Sequence, residues 1–288
     1  MGASLPPNLN RRDHLSMSLH RTEEQPCHIM GIVNVTPDSF HEQSRRTTAE
    51  HAVETALEMW QKGATWIDIG GESTRPNADY VTVEQELQRV VPVITALRLR
   101  NATGLISIDT RRPEVARAAL DAGADLINDV SGLRDPEMVS LVLERQCGVC
   151  IMHMQGDPQS MQEKPSYDDC AVEVSTQLLE TARGLVAAGL PAEFIVLDPG
   201  IGFGKLLEHN IDLLQRHELF RGIEGFSVLW GASRKSMIGQ ITGHDDPNQR
   251  LSGTLAVAAT AYYQGIDIVR VHDVQEHSDL FKVLHSID

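Results

Sequence analysis

The chain has 288 residues, a formal net charge of −15, 41% hydrophobic residues and four cysteines. This length fits one domain of about 250 residues with an extension, and the excess of negative charge argues against a nucleic-acid partner, which needs a basic surface. No apolar run approaches the roughly 20 residues that span a membrane and no signal peptide opens the chain, so we expect a cytoplasmic protein with free thiols.

Residues 1–26 contain two consecutive prolines and scattered charges, without a sustained apolar period. Such a segment is typical of a flexible extension. We therefore predict an N-terminal extension over 1–26, which we leave out of the fold, followed by one catalytic domain over 27–288.

The first outer helix is predicted over residues 48–62, where apolar residues recur at the spacing of one helical face. Gly63 follows as a natural C-cap. The same ending recurs at Gly123, Gly189 and Gly265, and a β-rich run begins within about six residues of each. Helices that end at glycine and lead into strands therefore recur along the chain.

Eight short apolar runs each end on a polar or charged residue. Successive run ends lie 38, 37, 19, 25, 45, 35 and 37 residues apart, which suits a strand, a helix and two loops. An open parallel sheet gives the same local signals, but the count of eight favours an α/β fold of the (β/α)₈ TIM-barrel type. The run ends are Asn34, Glu72, Asp109, Asn128, His153, Asp198, Ser233 and Arg270.

In such barrels the C-terminal ends of the strands and the following loops line the active site, so the run ends are candidate site residues. Two polar loops on the same face, 36–47 and 73–81, exceed the usual connection length. We expect them to act as lids.

Asp109, Asn128 and Asp198 are strand-end groups that accept hydrogen bonds. A carboxylate that faces a lactam N–H beside an exocyclic amine accepts two parallel bonds, which suits a guanine-like or pterin-like edge. The run DPGIGFGK after the sixth strand adds three glycines at alternate positions, which let the backbone approach a flat ligand. Its spacing is not that of a P-loop.

Basic residues cluster near the last two strands. Arg234 and Lys235 follow the seventh strand, where barrels often bind phosphate, and Arg270 and His272 lie two apart on the eighth. Together with Arg75 in the second loop, they predict a local positive site for an oxyanion. The alternative for Arg234 and Lys235 is a solvated charge pair.

Two features of the sequence are also compatible with other kinds of chemistry. Lys235 at a barrel mouth could form a Schiff base, with the adjacent Arg234 lowering its pKa. Cys147 and Cys150 have redox or zinc-site spacing, but they precede a strand and no second pair exists, so we interpret them as structural.

The motifs NVTPDSF, IDIGGESTRP, SIDTRRPEVA, INDVSG, MHMQG, DPGIGFGK, GASRKS and RVHDV occur in this order. As a set they resemble the dihydropteroate synthases, from about His28 to the C-terminus. The resemblance implies a barrel that joins 6-hydroxymethyl-7,8-dihydropterin diphosphate to 4-aminobenzoate and releases diphosphate. It also implies Mg²⁺ and a homodimer.

The resemblance implies roles for individual residues in this sequence. The residues matching the pterin site are Asp109, Asn128, Asp198 and Lys235. Those matching the diphosphate site are Arg75, Arg270 and His272. Those matching the surroundings of the aminobenzoate are Phe40, Thr74, Pro76, Phe203 and Ser236. Asn34 matches a magnesium-linked position, and the predicted catalytic group is Lys235, Arg270, His272 and Arg75, acting by electrostatic stabilisation without a covalent intermediate.

The sequence departs from the family in the first loop. After Phe40 the family usually continues Ser-Asp-Gly-Gly, whereas this chain has His41-Glu42-Gln43-Ser44. Glu42 is thus the expected second magnesium-linked residue, in place of the family's aspartate. A pterin-binding methyltransferase and a non-catalytic pterin-binding paralogue remain alternative functions.

Overall fold

A computed structural model describes residues 10–35, 42–72, 80–156, 161–163 and 165–288, with only the backbone given for 42–48. Eight parallel strands form a closed barrel in chain order. The predicted (β/α)₈ barrel is confirmed, and closure between the first and last strands excludes an open sheet.

The strands are β1 His28–Asn34, β2 Trp66–Gly70, β3 Leu105–Asp109, β4 Leu126–Asp129, β5 Gly148–Met152, β6 Ile195–Asp198, β7 Ser227–Trp230 and β8 Ile268–Val271. The helices are α1 Arg11–Met17, α2 Glu42–Gln61, α3 Val83–Arg100, α4 Pro113–Ala122, α5 Pro136–Arg145, α6 Cys170–Ala187, α7 Leu207–Gln215, α8 Ser236–Thr242, α9 Leu251–Tyr263 and α10 Val274–Ile287.

The predicted glycine endings of the helices are confirmed. Gly63, Gly123, Gly189 and Gly265 have φ angles of +105°, +111°, +102° and +71°. Glycine adopts this left-handed conformation without the penalty that a Cβ imposes, so it ends a helix and turns the chain toward the next strand.

The first long loop is shorter than predicted. Helix α2 begins at Glu42, whereas the loop was expected to run from 36 to 47. Residues 42–47 read EQSRRT, which has no apolar face, so hydrophobic periodicity could not reveal that the helix begins here. Glu, Gln and the two Arg residues have good helix propensity. The rest of that loop, 36–41, and residues 73–79 of the second loop lie outside the described residues.

The expectation that residues 1–26 lie outside the fold is wrong from residue 10 onward. Helix α1 packs on the barrel, with Leu15 and Leu19 in the hydrophobic core. Arg11 bonds Asp125 through Nε at 2.7 Å and Nη2 at 2.6 Å, and Trp66 Nε1 donates to the Ser18 carbonyl at 2.8 Å. A helix of two turns is too short to show a convincing apolar period.

If this segment belongs to the fold, Leu19→Ala will lower the free energy of unfolding by about 2 to 5 kcal/mol, because Leu19 is fully buried. Met17→Ala removes a side chain that is 56% exposed and will change it by less than about 0.5 kcal/mol. Urea denaturation compares the two variants. Equal stability of Leu19→Ala and the parent protein would show that the segment does not support the fold.

The sequence predicts structural cysteines and no segment long enough to span a membrane. Cys147 and Cys150 are free and buried, which confirms their structural interpretation, and burial raises the pKa of both thiols. Across the described ranges, no helix has the length and apolar character needed to span a membrane.

Candidate active site

Arg270 lies at the centre of the barrel mouth and joins two carboxylates. Its Nε donates to Asp68 Oδ2 at 2.6 Å, and its Nη2 donates to Asp109 Oδ2 at 2.7 Å. Asn128 Nδ2 donates to the same Asp68 oxygen at 3.1 Å. Alternate residues of barrel strands face the interior, so β2, β3, β4 and β8 each supply one member of this cluster.

Asp68 was missed by the sequence interpretation. It is fully buried, and its Oδ1 has no hydrogen-bond partner within the described part of the chain. The available signal was a carboxylate inside the otherwise apolar strand Trp66–Gly70, because a buried charge requires a partner. Asp68 does not end the apolar run, since it stands two residues before the end of the strand.

Asp198 and Lys235 form the other side of the site. Asp198 ends β6, is 5% exposed, and accepts a hydrogen bond from the Gly200 amide at 2.7 Å through Oδ1. Lys235 Nζ donates to the Ile201 carbonyl and lies 4.4 Å from the centre of the Phe203 ring. Phe203 itself packs on a small apolar cluster, which consists of Val130, Met152, Met154 and Met161.

Two glycines keep space open beside these groups. A Cβ on Gly231 would lie 3.8 Å from both Asp198 Oδ2 and Lys235 Nζ. A Cβ on Gly70 would lie 3.7 Å from Asp109 Oδ2 and 3.8 Å from Asn34 Oδ1. A side chain at either position would occupy the space that a flat ligand needs to reach the polar atoms.

The ionisable groups of the site have shifted pKa values. Burial raises the pKa of Asp109 to about 7, although Arg270 opposes the shift, and burial likewise raises the pKa of Asp198 against the effect of Lys235. Burial lowers the pKa of Lys235 to about 8, and Asp198 opposes this. Such perturbed groups in one concave site are typical of a functional centre.

The positive and negative groups of the site nearly cancel in charge. The described cluster holds three carboxylates and two cations, Asp68, Asp109, Asp198, Lys235 and Arg270. With all five groups ionised it carries a single excess negative charge. Such a cluster favours N–H donors and developing positive charge in a ligand.

Arg234 does not face Lys235. Its Nε donates to Asp273 Oδ2 at 2.9 Å, and its Nη2 bonds the other oxygen of that carboxylate. The lowered pKa of Lys235 comes from burial and from Arg270, so the predicted effect of Arg234 is wrong. His272 lies just beyond β8 with Nδ1 3.0 Å from Ser233 Oγ, and Ser236 is exposed at the start of α8.

Two of the predicted run ends are engaged elsewhere. Glu72 forms ion pairs with Arg111 at 3.3 Å and Arg112 at 3.0 Å, away from the central arginine. His153 Nδ1 faces the buried Nζ of Lys205 at 3.0 Å. Their side chains therefore stabilise loops at the barrel mouth.

Phe40, Thr74, Arg75 and Pro76 lie outside the described residues, as does the side chain of Glu42. Within the described ranges, no group of three His, Cys, Asp or Glu side chains could hold a metal ion. Asn34 is exposed at the end of β1, and an amide oxygen at a barrel mouth suits Mg²⁺, which usually keeps water and phosphate ligands.

Proteins of a known family are similar to this chain in sequence. The family model described as pterin binding enzyme matches residues 30–272. Dihydropteroate synthase of Escherichia coli (strain K12) is 47% identical over 259 residues, covering 90% of this chain and 91% of the relative.

Two solved structures are also similar. Dihydropteroate synthase of Xanthomonas albilineans with 4-aminobenzoic acid is 42% identical with a TM-score of 0.83, covering 93% of this chain and 94% of the other. The Burkholderia cenocepacia enzyme complexed with 7,8-dihydropteroate is 41% identical with a TM-score of 0.81, covering 91% of each chain.

Proposed function

The chain belongs to the family of pterin-binding enzymes, and on this basis we propose that it is a dihydropteroate synthase. It joins 6-hydroxymethyl-7,8-dihydropterin diphosphate to 4-aminobenzoate, giving 7,8-dihydropteroate and diphosphate. The observation that carries the proposal is the buried polar cluster at the barrel mouth, which occurs in a chain that matches synthases over nine-tenths of its length.

The pterin ring is bound by the strand-end groups. Asp198 presents Oδ2 toward the space beside Gly231, where it can accept from the lactam N–H and the amine of the ring. Asn128 both donates and accepts, and Asp109 is held in position by Arg270. Phe203 and Lys235 border the same space, at the edge nearest the incoming aminobenzoate.

The reaction breaks the C–O bond to diphosphate and forms a C–N bond to the amine of 4-aminobenzoate, which loses a proton. Positive charge develops on the pterin methylene as negative charge leaves with diphosphate. The carboxylates of the cluster stabilise the former, and Arg270, Lys235, His272 and Arg75 are the proposed cations for the latter. A preorganised site of this kind requires no covalent enzyme intermediate, so Lys235 acts as a charge and not as a Schiff-base nucleophile.

The test is an assay of diphosphate release with each substrate alone and with both together. We expect release only when both substrates are present, with one dihydropteroate formed per diphosphate. Pterin binding without release would support the non-catalytic paralogue, and transfer of a methyl group from a methylated pterin would support the methyltransferase.

We also propose that Mg²⁺ assists diphosphate, with Asn34 and Glu42 linked to it. When bound, the ion would neutralise charge on the leaving group. Glu42→Gln will lose about 10- to 100-fold in kcat/KM if the carboxylate tunes the metal site, while Glu42→Asp will lose much less. Steady-state kinetics over a magnesium titration compares them, and a Glu42→Ala enzyme that matches the parent within about twofold would exclude this role.

We further propose a homodimer, on the basis of the family resemblance, and a cytoplasmic location, on the basis of the composition of the chain. Sedimentation equilibrium tests the first, and a constant mass of one chain at micromolar concentration would contradict it.

A further inference from the structure

Lys205 is a buried lysine that the proposed reaction does not use. It is 4% exposed, and its Nζ lies 3.0 Å from His153 Nδ1, 3.1 Å from the Gly200 carbonyl and 3.0 Å from the Phe203 carbonyl. The His153 carbonyl lies farther away, at 3.4 Å. Three N–H donors thus meet three close acceptors, which is the arrangement an ammonium group requires.

Burial shifts the pKa of both Lys205 and His153. Burial lowers the pKa of Lys205 to about 7 and that of His153 to about 3, so the imidazole is a neutral acceptor. The other titratable groups that act on Lys205 are the Cys170 thiol and Asp198, which raise its pKa, and Lys235, which lowers it. The Tyr167 ring lies 6.0 Å from Nζ.

The loop over Lys205 has little freedom to move. A Cβ on Gly200 would overlap the His153 carbonyl oxygen, and one on Gly202 would lie 3.1 Å from Lys235 Cδ. The loop therefore lies between two lysines. Lys205 bonds the carbonyls of Gly200 and Phe203 from inside the barrel wall, and Lys235 bonds the Ile201 carbonyl from the site.

We propose that Lys205 is a positioning residue of the active site, which fixes the Gly200–Gly204 loop so that the Phe203 ring and the Ile201 carbonyl hold Lys235 against the substrate. The proposal rests on the proposed function, because it assigns Lys235 and Phe203 to the substrate site. Lys205 itself touches no substrate. Without its ammonium group, the Phe203 carbonyl loses this donor and the Gly200 carbonyl keeps only the Phe203 N–H at 3.0 Å. The loop is then held less firmly on this side, and the ring that borders Lys235 can shift.

The first test compares Lys205→Met with Cys170→Ala, a buried neighbour that is not bonded to the loop carbonyls. We expect Lys205→Met to lose about 10- to 100-fold in kcat/KM, since a displacement of about 1 Å at a reacting group has an effect of this size. Cys170→Ala will keep kcat/KM within about threefold even if thermal unfolding shows that it is less stable. Equal kinetic constants for Lys205→Met and the parent enzyme would overturn the proposal, whereas an inactive parent would overturn the proposed function instead.

The second test is a double-mutant cycle that separates positioning from general stability. Binding of 6-hydroxymethylpterin is measured by calorimetry for the parent, Lys205→Met, Lys235→Met and the double variant. If Lys205 acts through Lys235, Lys205→Met will weaken binding about tenfold in the parent and less than about twofold in the Lys235→Met enzyme. Equal losses in both backgrounds would show a merely structural role. If Lys205→Met does not fold, Lys205→Gln, which keeps two N–H donors, is measured in the same cycle.

Discussion

Asp198→Asn will weaken binding of the pterin substrate by about 2 to 4 kcal/mol while the protein keeps its fold. The amide oxygen can still accept the Gly200 N–H that Oδ1 accepts at 2.7 Å, so the turn after β6 is preserved. The second atom becomes an N–H donor, which meets the donor edge of the pterin. Calorimetric titration measures the loss, and an affinity within about twofold of the parent would exclude Asp198 from the pterin site.

The matched control for this variant is Asp129→Asn. Asp129 is also a buried carboxylate at a strand end, but its oxygens accept from Ser131 N at 2.7 Å, Ser131 Oγ at 2.6 Å and Leu133 N at 3.1 Å. This substitution disturbs a turn and will lower stability without changing pterin affinity. An equal affinity loss in both variants would indicate a general disturbance of the barrel mouth.

Arg270→Met will be the most damaging substitution to stability among those considered, with a loss of about 3 to 5 kcal/mol near neutral pH. It leaves Asp68 and Asp109 as neighbouring buried carboxylates without their shared cation. Turnover will fall as well, since Arg270 is a proposed contact of the diphosphate. Urea denaturation measures the first effect, and Asp68→Asn in the Arg270→Met background will recover part of it.

The stability loss in Arg270→Met depends on pH in a defined direction. The pKa of Asp109 in the fold is about 7, above its ordinary value, so its contribution is present at low pH and lost as pH rises through about 7. Removing Arg270 raises that pKa further, because Arg270 is the cation that lowers it. The part of the loss that comes from Asp109 will therefore be small below about pH 7 and will grow toward about pH 9. A loss that is constant over this range would contradict the shared-cation arrangement.

The sequence predicted the barrel because each of its units repeats the same local signals. Strand ends at Asn34, Asp109 and Asp198 agree with the predicted run ends, since an apolar run that stops at a polar residue marks where a strand leaves the core. The two helical segments that were not predicted lack a periodic pattern of apolar residues. Within helix α1 Leu15 is the one buried residue, and the start of α2 is polar throughout.

The sequence predicted the residue types of the candidate site better than it predicted the contacts between them. Asp109, Asn128, Asp198 and Lys235 do converge, because parallel strands end at one face of the barrel. The pairing of Arg270 with Asp68 could not be predicted, since the partners lie 202 residues apart on β8 and β2, which flank β1 only once the barrel closes. The role of Lys205 could not be predicted, because two of its close acceptors are backbone carbonyls and the third, His153, lies 52 residues away in the chain.

Arg270 and Lys235 are the described cations of the site that can face a diphosphate in a chain with a net charge of −15, although the described cluster as a whole carries one excess negative charge. Repulsion by the whole protein is screened beyond about 8 Å at physiological ionic strength, whereas groups inside the barrel mouth act at close range. Arg270 and Lys235 lie there among buried carboxylates that hold them in position. Fixed cations next to fixed anions suit a reaction that separates a cationic carbon from an anionic leaving group.

The most direct test of the central claim is a crystal structure of this protein with 6-hydroxymethylpterin bound. We expect the pterin ring in the space bordered by Gly231, with its lactam N–H and amine within about 3 Å of Asp198 and with Asn128 bonded to the opposite edge. The hydroxymethyl group will point toward Lys235 and the loop that carries Phe203. A pterin bound elsewhere, with Asp198 and Asn128 free of contact to it, would contradict the assignment of this barrel mouth as the active site.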